Sequence, residues 1–325
     1  MSTTDNNCRV ITVGYSGAKS NLKGDIRIFH LDDVDPTTPS AARLTLSNQG
    51  ESSSKLRCCS FIKDEQLAPS RHMAVGDFAG NLSIWDIDRL DVPIRSTTMS
   101  TTATTTTTTS GGNIQSHNST VNAIDCYQSL IATGGRDGYI AIWDSRGPLK
   151  TSTHSFSHQV DEKKDCWSLL IHGTNVLGGY ENGDLDIFDL RTNKRLSSIN
   201  MKSSVTSISL NNRFDYGSII VGGNESTMTT MSWSNQLFTQ VHEQKGLSKF
   251  IWSARYSPFK SNVYCTSDSD GNVSLYDDKV LVDRIKICDF PVLHLDYNQH
   301  KEGLMAAISL NRKLSIIISP YGQSL

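Results

Sequence analysis

The chain lacks any apolar run near the roughly 18 residues needed to cross a bilayer as a helix. It also lacks a surplus of charge. Its 31 Lys and Arg stand against 33 Asp and Glu, a net charge of −2. Neither a basic nucleic-acid footprint nor an acidic tail follows from that balance, so no nucleic acid and no membrane is expected as a partner. The N-terminal MSTTDNNCRV has no basic-then-apolar signal pattern. Among the seven cysteines there is no CxxC pair, and the count is odd. Reduced thiols in the cytosol or nucleus are the expectation, with most cysteines serving as small apolar residues in strands. GxSxG, HExxH, P-loop and GxGxxG motifs are missing from the strand–helix contexts that would give them chemistry. His154 and His158 are spaced to share a metal on a helix, but a strand is expected there and no third ligand is nearby. No cofactor, metal or catalytic residue is therefore assigned.

What the chain has is repetition. Residues 134–144 read GGRDGYIAIWD, residues 76–86 read GDFAGNLSIWD, and residues 178–189 read GGYENGDLDIFD. Aligned on the last large apolar residue of each alternating run, Phe29, Trp85, Trp143, Phe188, Met231, Tyr276 and Ile317 form one column. Most intervals are roughly 40–45 residues, the period of a WD40 repeat with four strands per blade. Two longer intervals have local causes. Residues 31–55 are rich in Asp, Pro and Ser between blades. Residues 96–116 contain STTMSTTATTTTTTSGG, which has no face to bury and is expected to be a disordered loop between blades 2 and 3. The expectation is an all-β chain, with residues 1–325 forming a single seven-bladed propeller.

In blade 3, VNAID (121–125), LIATGG (130–135) and YIAIWD (139–144) read as the inner, second and third strands, with an outer strand near 149–156. Asp137 and Gly138 make the tight turn. Ile140 and Ile142 share one face, and Tyr139, Ala141 and Trp143 the other. Both faces are apolar because a blade stacks on both sides. Blade 1 starts at its second strand, RVITVG (9–14), and blade 7 stops after KLSIIIS (313–319). Both are expected to be incomplete, 26 strands in all, as though an N-terminal closing strand were missing.

The WD-repeat pattern also implies a buried His–Asp–Thr–Trp hydrogen-bond set. Blade 3 can supply it as His117, Asp137, Thr133 and Trp143. Blade 2 has Ala79 at the turn-Asp position and blade 5 reads STMTTMS, so one tied blade and several held by packing are expected.

Three stretches go beyond a generic repeat: MAVGDFAGNLSIWDID (73–88), VNAID with GGRDGYIAIWDSR, and KKDCWSLL followed by GYENGDLDIFDLR (163–191). FIWSARYSP (250–258) is similar in kind. Together they resemble the Monad family of WD-repeat proteins. The resemblance implies a non-enzymatic, cytoplasmic, monomeric adaptor in axonemal dynein preassembly. Its implied partners are RuvB-like ATPases, prefoldin-like co-chaperone subunits and dynein heavy chains. Two alternatives stand beside it: a propeller scaffold or peptide reader in a ubiquitin ligase or chromatin complex, and a WD-repeat esterase of diphthamide synthesis.

Binding is expected on the top face. The second residue of each inner strand gives Arg57, Asn122, Trp167, Thr206, Trp252 and Leu293. The residue before each turn-Asp position gives Phe78, Arg136, Tyr180, Asn224 and Ser269. Aromatics and arginines are the types enriched at interface hot spots. Arg57, Phe78, Arg136, Trp167, Tyr180 and Trp252 are the partner-binding candidates. Lys164 and Asp165, on the loop before blade 4, join them through the family resemblance.

Overall fold

A computed structural model describes residues 8–18, 21–32, 43–62, 71–97, 116–158, 164–211, 217–224, 227–234, 237–244 and 250–319. Seven antiparallel sheets follow one another along the chain, in the arrangement of a seven-bladed β-propeller. No helix of the described residues is long and apolar enough to cross a membrane.

Blade 1 has three strands, Cys8–Ser16, Lys23–Asp32 and Arg43–Ser52. Blade 2 has Leu56–Phe61, His72–Asp77, Leu82–Asp86 and Arg95–Ser96. Blade 3 has Val121–Tyr127, Leu130–Gly135, Tyr139–Asp144 and His154–Ser157. Blade 4 has Cys166–His172, Asn175–Tyr180, Asp184–Asp189 and Lys194–Asn200. Blades 5 and 6 open on the inner strands Val205–Leu210 and Ile251–Tyr256. Blade 7 has three strands, Val292–Tyr297, Leu304–Ser309 and Leu314–Ile318. The sheets contain 26 strands among the described residues.

Two compact units divide the chain. One carries blades 1–3 and most of blade 4, and the other carries Glu181–Leu185 and Ile199–Leu325. Within the first unit, strand alternation decides which neighbour each side chain meets. Ala141 and Trp143 pack with Ala74, Leu82 and Ile84 of blade 2. Ile140 and Ile142 pack with Cys166, Leu169 and Phe188 of blade 4. Within the second unit, Cys265 and Leu275 of blade 6 pack with Val292, Leu295 and Met305 of blade 7. A period of two thus supplies two apolar faces from one strand.

Two readings of the long intervals need correction. Arg43–Ser52, placed in a stretch between blades, is the outer strand of blade 1 and pairs along Lys23–Asp32. The stretch expected to be a loop from residue 96 starts with residues that belong to blade 2. Ser96 pairs with Ser83, and the buried Thr97 accepts the Leu82 N–H at 3.2 Å through Oγ1. Ser116 is also placed, so only residues 98–115 of that stretch lie outside the described residues. The outer strand of blade 3 is shorter than expected.

None of the seven cysteines is in a disulfide. Cys126, Cys166 and Cys265 are fully buried. Burial pushes the Cys265 thiol up to about 12 and the Cys166 thiol up strongly as well, which suits packing and not nucleophilic chemistry.

Candidate functional site

The four predicted residues of blade 3 converge. His117 bonds Asp137 Oδ1 through Nδ1 at 2.9 Å and Thr133 Oγ1 through Nε2 at 2.9 Å. Trp143 donates its indole N–H to the same Thr133 oxygen at 2.9 Å. Asp137 also accepts the backbone N–H groups of Asn118 and Tyr139. Burial alone would raise the Asp137 carboxyl. The His117 bond and charge, with the two backbone donors, outweigh it and hold the group below the usual carboxylate range. Side-chain exposures of 1% for His117 and 6% for Asp137 seal the pair from any substrate. The set is a structural tie from the incoming loop through the turn to the third strand.

Gly135 sits where this tie leaves no room. A Cβ there would collide with both Asp137 Oδ1 and His117 Nδ1. Gly135→Ala is expected to cost about 1–3 kcal/mol by overpacking a buried polar contact. An unchanged thermal midpoint would show that the tie shifts freely.

Blade 3 is not the one tied blade. His158, directly after the outer strand of blade 3, holds Nδ1 2.7 Å from Asp186 Oδ2 of blade 4, with both side chains buried. Arg195 reaches the same oxygen at 3.4 Å and donates to the His158 carbonyl at 3.0 Å. His158 is thus committed to Asp186, while His154 stacks on Phe156. Among the described residues no group of three or more His, Cys, Asp or Glu is placed to hold a metal. Blades 2 and 6 use another device. Asp77 Oδ1 accepts the N–H groups of Ala79 and Asn81, and its Oδ2 accepts Asn81 Nδ2. Asp268 binds Asp270 and Asn272 in the same way. The signal was present as DFAGN (77–81) and DSDGN (268–272), two residues ahead of the position inspected. Blade 2 also moves its hydroxyl across the sheet. Trp85 donates to Ser83 at 2.8 Å, and Ser83 pairs with Val75 where Thr133 pairs with Ala141.

The second-position column has a common geometry. Each inner strand breaks register there against its neighbour: Leu56/Cys58, Val121/Ala123, Cys166/Ser168, Val205/Ser207, Ile251/Ser253 and Val292/His294. Arg57, Asn122, Trp167, Thr206, Trp252 and Leu293 are the extra residues, and a bulge re-aims the side chain it carries. Arg57 is exposed and the other five are half-buried. Trp252 lies against Phe250 with ring centroids 4.3 Å apart.

The turn-position candidates divide. The Phe78 ring lies 5.9 Å from the Arg57 guanidinium carbon, so the structure joins these two. Arg136 Nε pairs with Asp165 Oδ2 at 3.3 Å, with Arg136 largely exposed. Lys164 beside them is half-buried. Tyr180 is a correction: its exposure is 0%, and its ring packs 4.6 Å from that of His158. The register explains this. Tyr180 pairs with Cys166 as Asp77 pairs with Leu56 and Gly135 with Val121. The mate of Phe78 and Arg136 in blade 4 is Glu181, which is exposed.

Comparison with known proteins agrees with this architecture. The family described as WD domain, G-beta repeat matches residues 108–144. A chain in the crystal structure of a mitotic checkpoint complex superposes with a TM-score of 0.69 over 92% of this chain and 84% of that one, at 11% identity, a likeness of fold alone. Dynein axonemal assembly factor 10 of Dictyostelium discoideum is 32% identical, covering 96% of this chain and 89% of that protein. The Xenopus tropicalis protein of the same name is 26% identical over 84% of this chain and 82% of its own length. The resemblance carried by KKDCW and GYENGDLDIFDLR is borne out across nearly the whole length. The chain belongs to the dynein axonemal assembly factor 10 family of WD-repeat proteins.

Proposed function

We propose that this chain is a non-enzymatic WD40 adaptor in the cytoplasmic preassembly of axonemal dynein. It would hold client dynein heavy chains for a prefoldin-like co-chaperone assembly with RuvB-like ATPases. The observation that carries the reading is similarity to a protein named for dynein assembly over 96% of the chain. The chemistry of the molecule is in keeping with binding: two His–Asp pairs are closed to solvent, and Arg57 and Arg136 are exposed on a bulge and a turn.

Affinity purification of the tagged protein from its own cytosol, with mass spectrometry, tests the reading. RuvB-like ATPases, prefoldin-like subunits or dynein heavy chains are expected to co-purify. Their absence, with ubiquitin-ligase or chromatin proteins in their place, would overturn it. Trp167→Ala and Arg136→Glu are expected to reduce recovery of those partners by about tenfold each, the scale of a single interface residue worth more than 1 kcal/mol. Among the described residues neither change removes a buried hydrogen bond, so the thermal midpoint should stay near that of the unmodified protein. Full recovery with both variants would place the contact elsewhere on the propeller.

A further inference from the structure

Two of the rim candidates, Arg57 and Phe78, belong to a group of two rings and two cations that blades 1 and 2 assemble. Tyr15 closes the first strand of blade 1, and its ring meets Phe78 edge-on, with centroids 5.7 Å apart and planes at 89°. Lys55 Nζ lies 5.2 Å from the Phe78 centroid and 5.8 Å from that of Tyr15. Arg57 adds its guanidinium to Phe78 at 5.9 Å. The display is rigid. The Phe78 N–H donates to the Lys55 carbonyl at 2.9 Å, and the Phe78 carbonyl accepts the Thr120 hydroxyl at 3.2 Å. Asp77 ties the turn beneath.

The charge balance of this group is one-sided. Among the described residues neither Lys55 nor Arg57 has a carboxylate partner. Three acids of blades 1 and 2 have partners of their own: Glu51 pairs with Lys23 at 2.8 Å, Asp25 with Arg27 at 2.7 Å, and Asp77 with its own turn. The ring faces stabilise the cations by their quadrupoles without neutralising them. Tyr15 stays 41% exposed, leaving an apolar contact beside the positive charge. Two cations on a chain of net charge −2 give no basic track for a nucleic-acid backbone, so the group suits a short acidic segment.

We propose that Tyr15, Lys55, Arg57 and Phe78 form a docking site for an acidic linear segment of a partner protein. The carboxylates of that segment pair with Lys55 and Arg57, and an adjoining aromatic or aliphatic side chain covers Tyr15. The site deepens the adaptor reading by naming the chemistry of one partner segment, and it rests on that reading only for the partner's identity.

Fluorescence anisotropy of the full chain tests it, with a fluorescein-labelled Glu-Glu-Phe-Glu-Glu peptide as probe and its Gln-Gln-Phe-Gln-Gln counterpart as control. The glutamate peptide is expected to bind and the glutamine peptide not to. Binding should weaken about tenfold or more in the Lys55→Glu/Arg57→Glu double variant, because like charge replaces complementary charge. It should also weaken as salt rises from about 0.05 M to about 0.5 M. The gentler Lys55→Gln/Arg57→Gln variant, checked by circular dichroism, keeps the test valid if charge reversal disturbs folding. No binding of the glutamate peptide overturns the proposal. So does equal binding of the two peptides, unchanged binding by a folded variant, or tighter binding of a single-stranded oligonucleotide that is lost in the same variant. The two readings separate cleanly. Peptide binding without co-purified dynein or co-chaperone subunits would remove the adaptor reading and leave the site. Co-purification with no peptide binding would do the reverse.

Discussion

Trp143→Ala is expected to destabilise the protein by about 3–5 kcal/mol, the range for deleting a large buried aromatic side chain. The indole is 1% exposed and sits in the cluster with Ala74, Leu82, Ile84, Cys126 and Ile131, so the change leaves a cavity between the sheets of blades 2 and 3. It also removes the donor to Thr133. Thr133 keeps His117 and the Ala141 carbonyl as partners, so the hydrogen-bond loss is the smaller part. Trp143→Phe separates the two contributions, since it keeps most of the apolar volume and loses the N–H. It is expected to cost about 1 kcal/mol for the bond, with a further cost for the volume difference. Urea denaturation of both variants by circular dichroism measures this. Equal losses would mean that the hydrogen bond, and not packing, carries the position.

Asp137→Ala should be comparably severe, at about 3–5 kcal/mol, because it breaks a buried pair and leaves His117 Nδ1 and two backbone N–H groups without their acceptor. The same carboxylate sets an acid limit. Its folded-state pKa is depressed, so its contribution to stability is fully present above the unfolded value near about 4 and is lost as pH falls through the folded value. Urea midpoints taken from about pH 5 down to about pH 2 should therefore fall more steeply for the unmodified protein than for Asp137→Asn. Parallel curves would mean that folding does not lower the Asp137 pKa.

Blade 3 was readable almost residue by residue. Leu130–Gly135 and Tyr139–Asp144 form strands with the expected bounds, and the turn residue Gly138 takes the positive φ of 78° that a DG turn favours. The tie was readable because its members hold characteristic positions within one repeat. The His158–Asp186 pair was not, since its partners come from two different blades, 28 residues apart, and match no repeat position. The two columns read from the alignment differ in where the strands place them. The second-position column is the bulge of six inner strands, which an alignment of inner strands finds without knowing that bulges exist. The turn column failed at Tyr180 because it was taken one residue early in blade 4. In a strand of period two, one residue of offset moves a side chain from outside to inside.

Local chemistry therefore settles what is periodic. Alternating apolar residues, Asp-Gly turns and a repeat near 40–45 residues are enough for strands, blades and their count, because each blade is built from short-range patterns. Tertiary packing decides what is singular. Whether Tyr180 is buried depends on His158 arriving from the preceding blade. That Lys55 and Arg57 meet the rings of Tyr15 and Phe78, with no carboxylate partner among the described residues, is decided by which strands the fold brings together. Those outcomes rest on distances between residues far apart in the chain, and no sequence spacing encodes them directly.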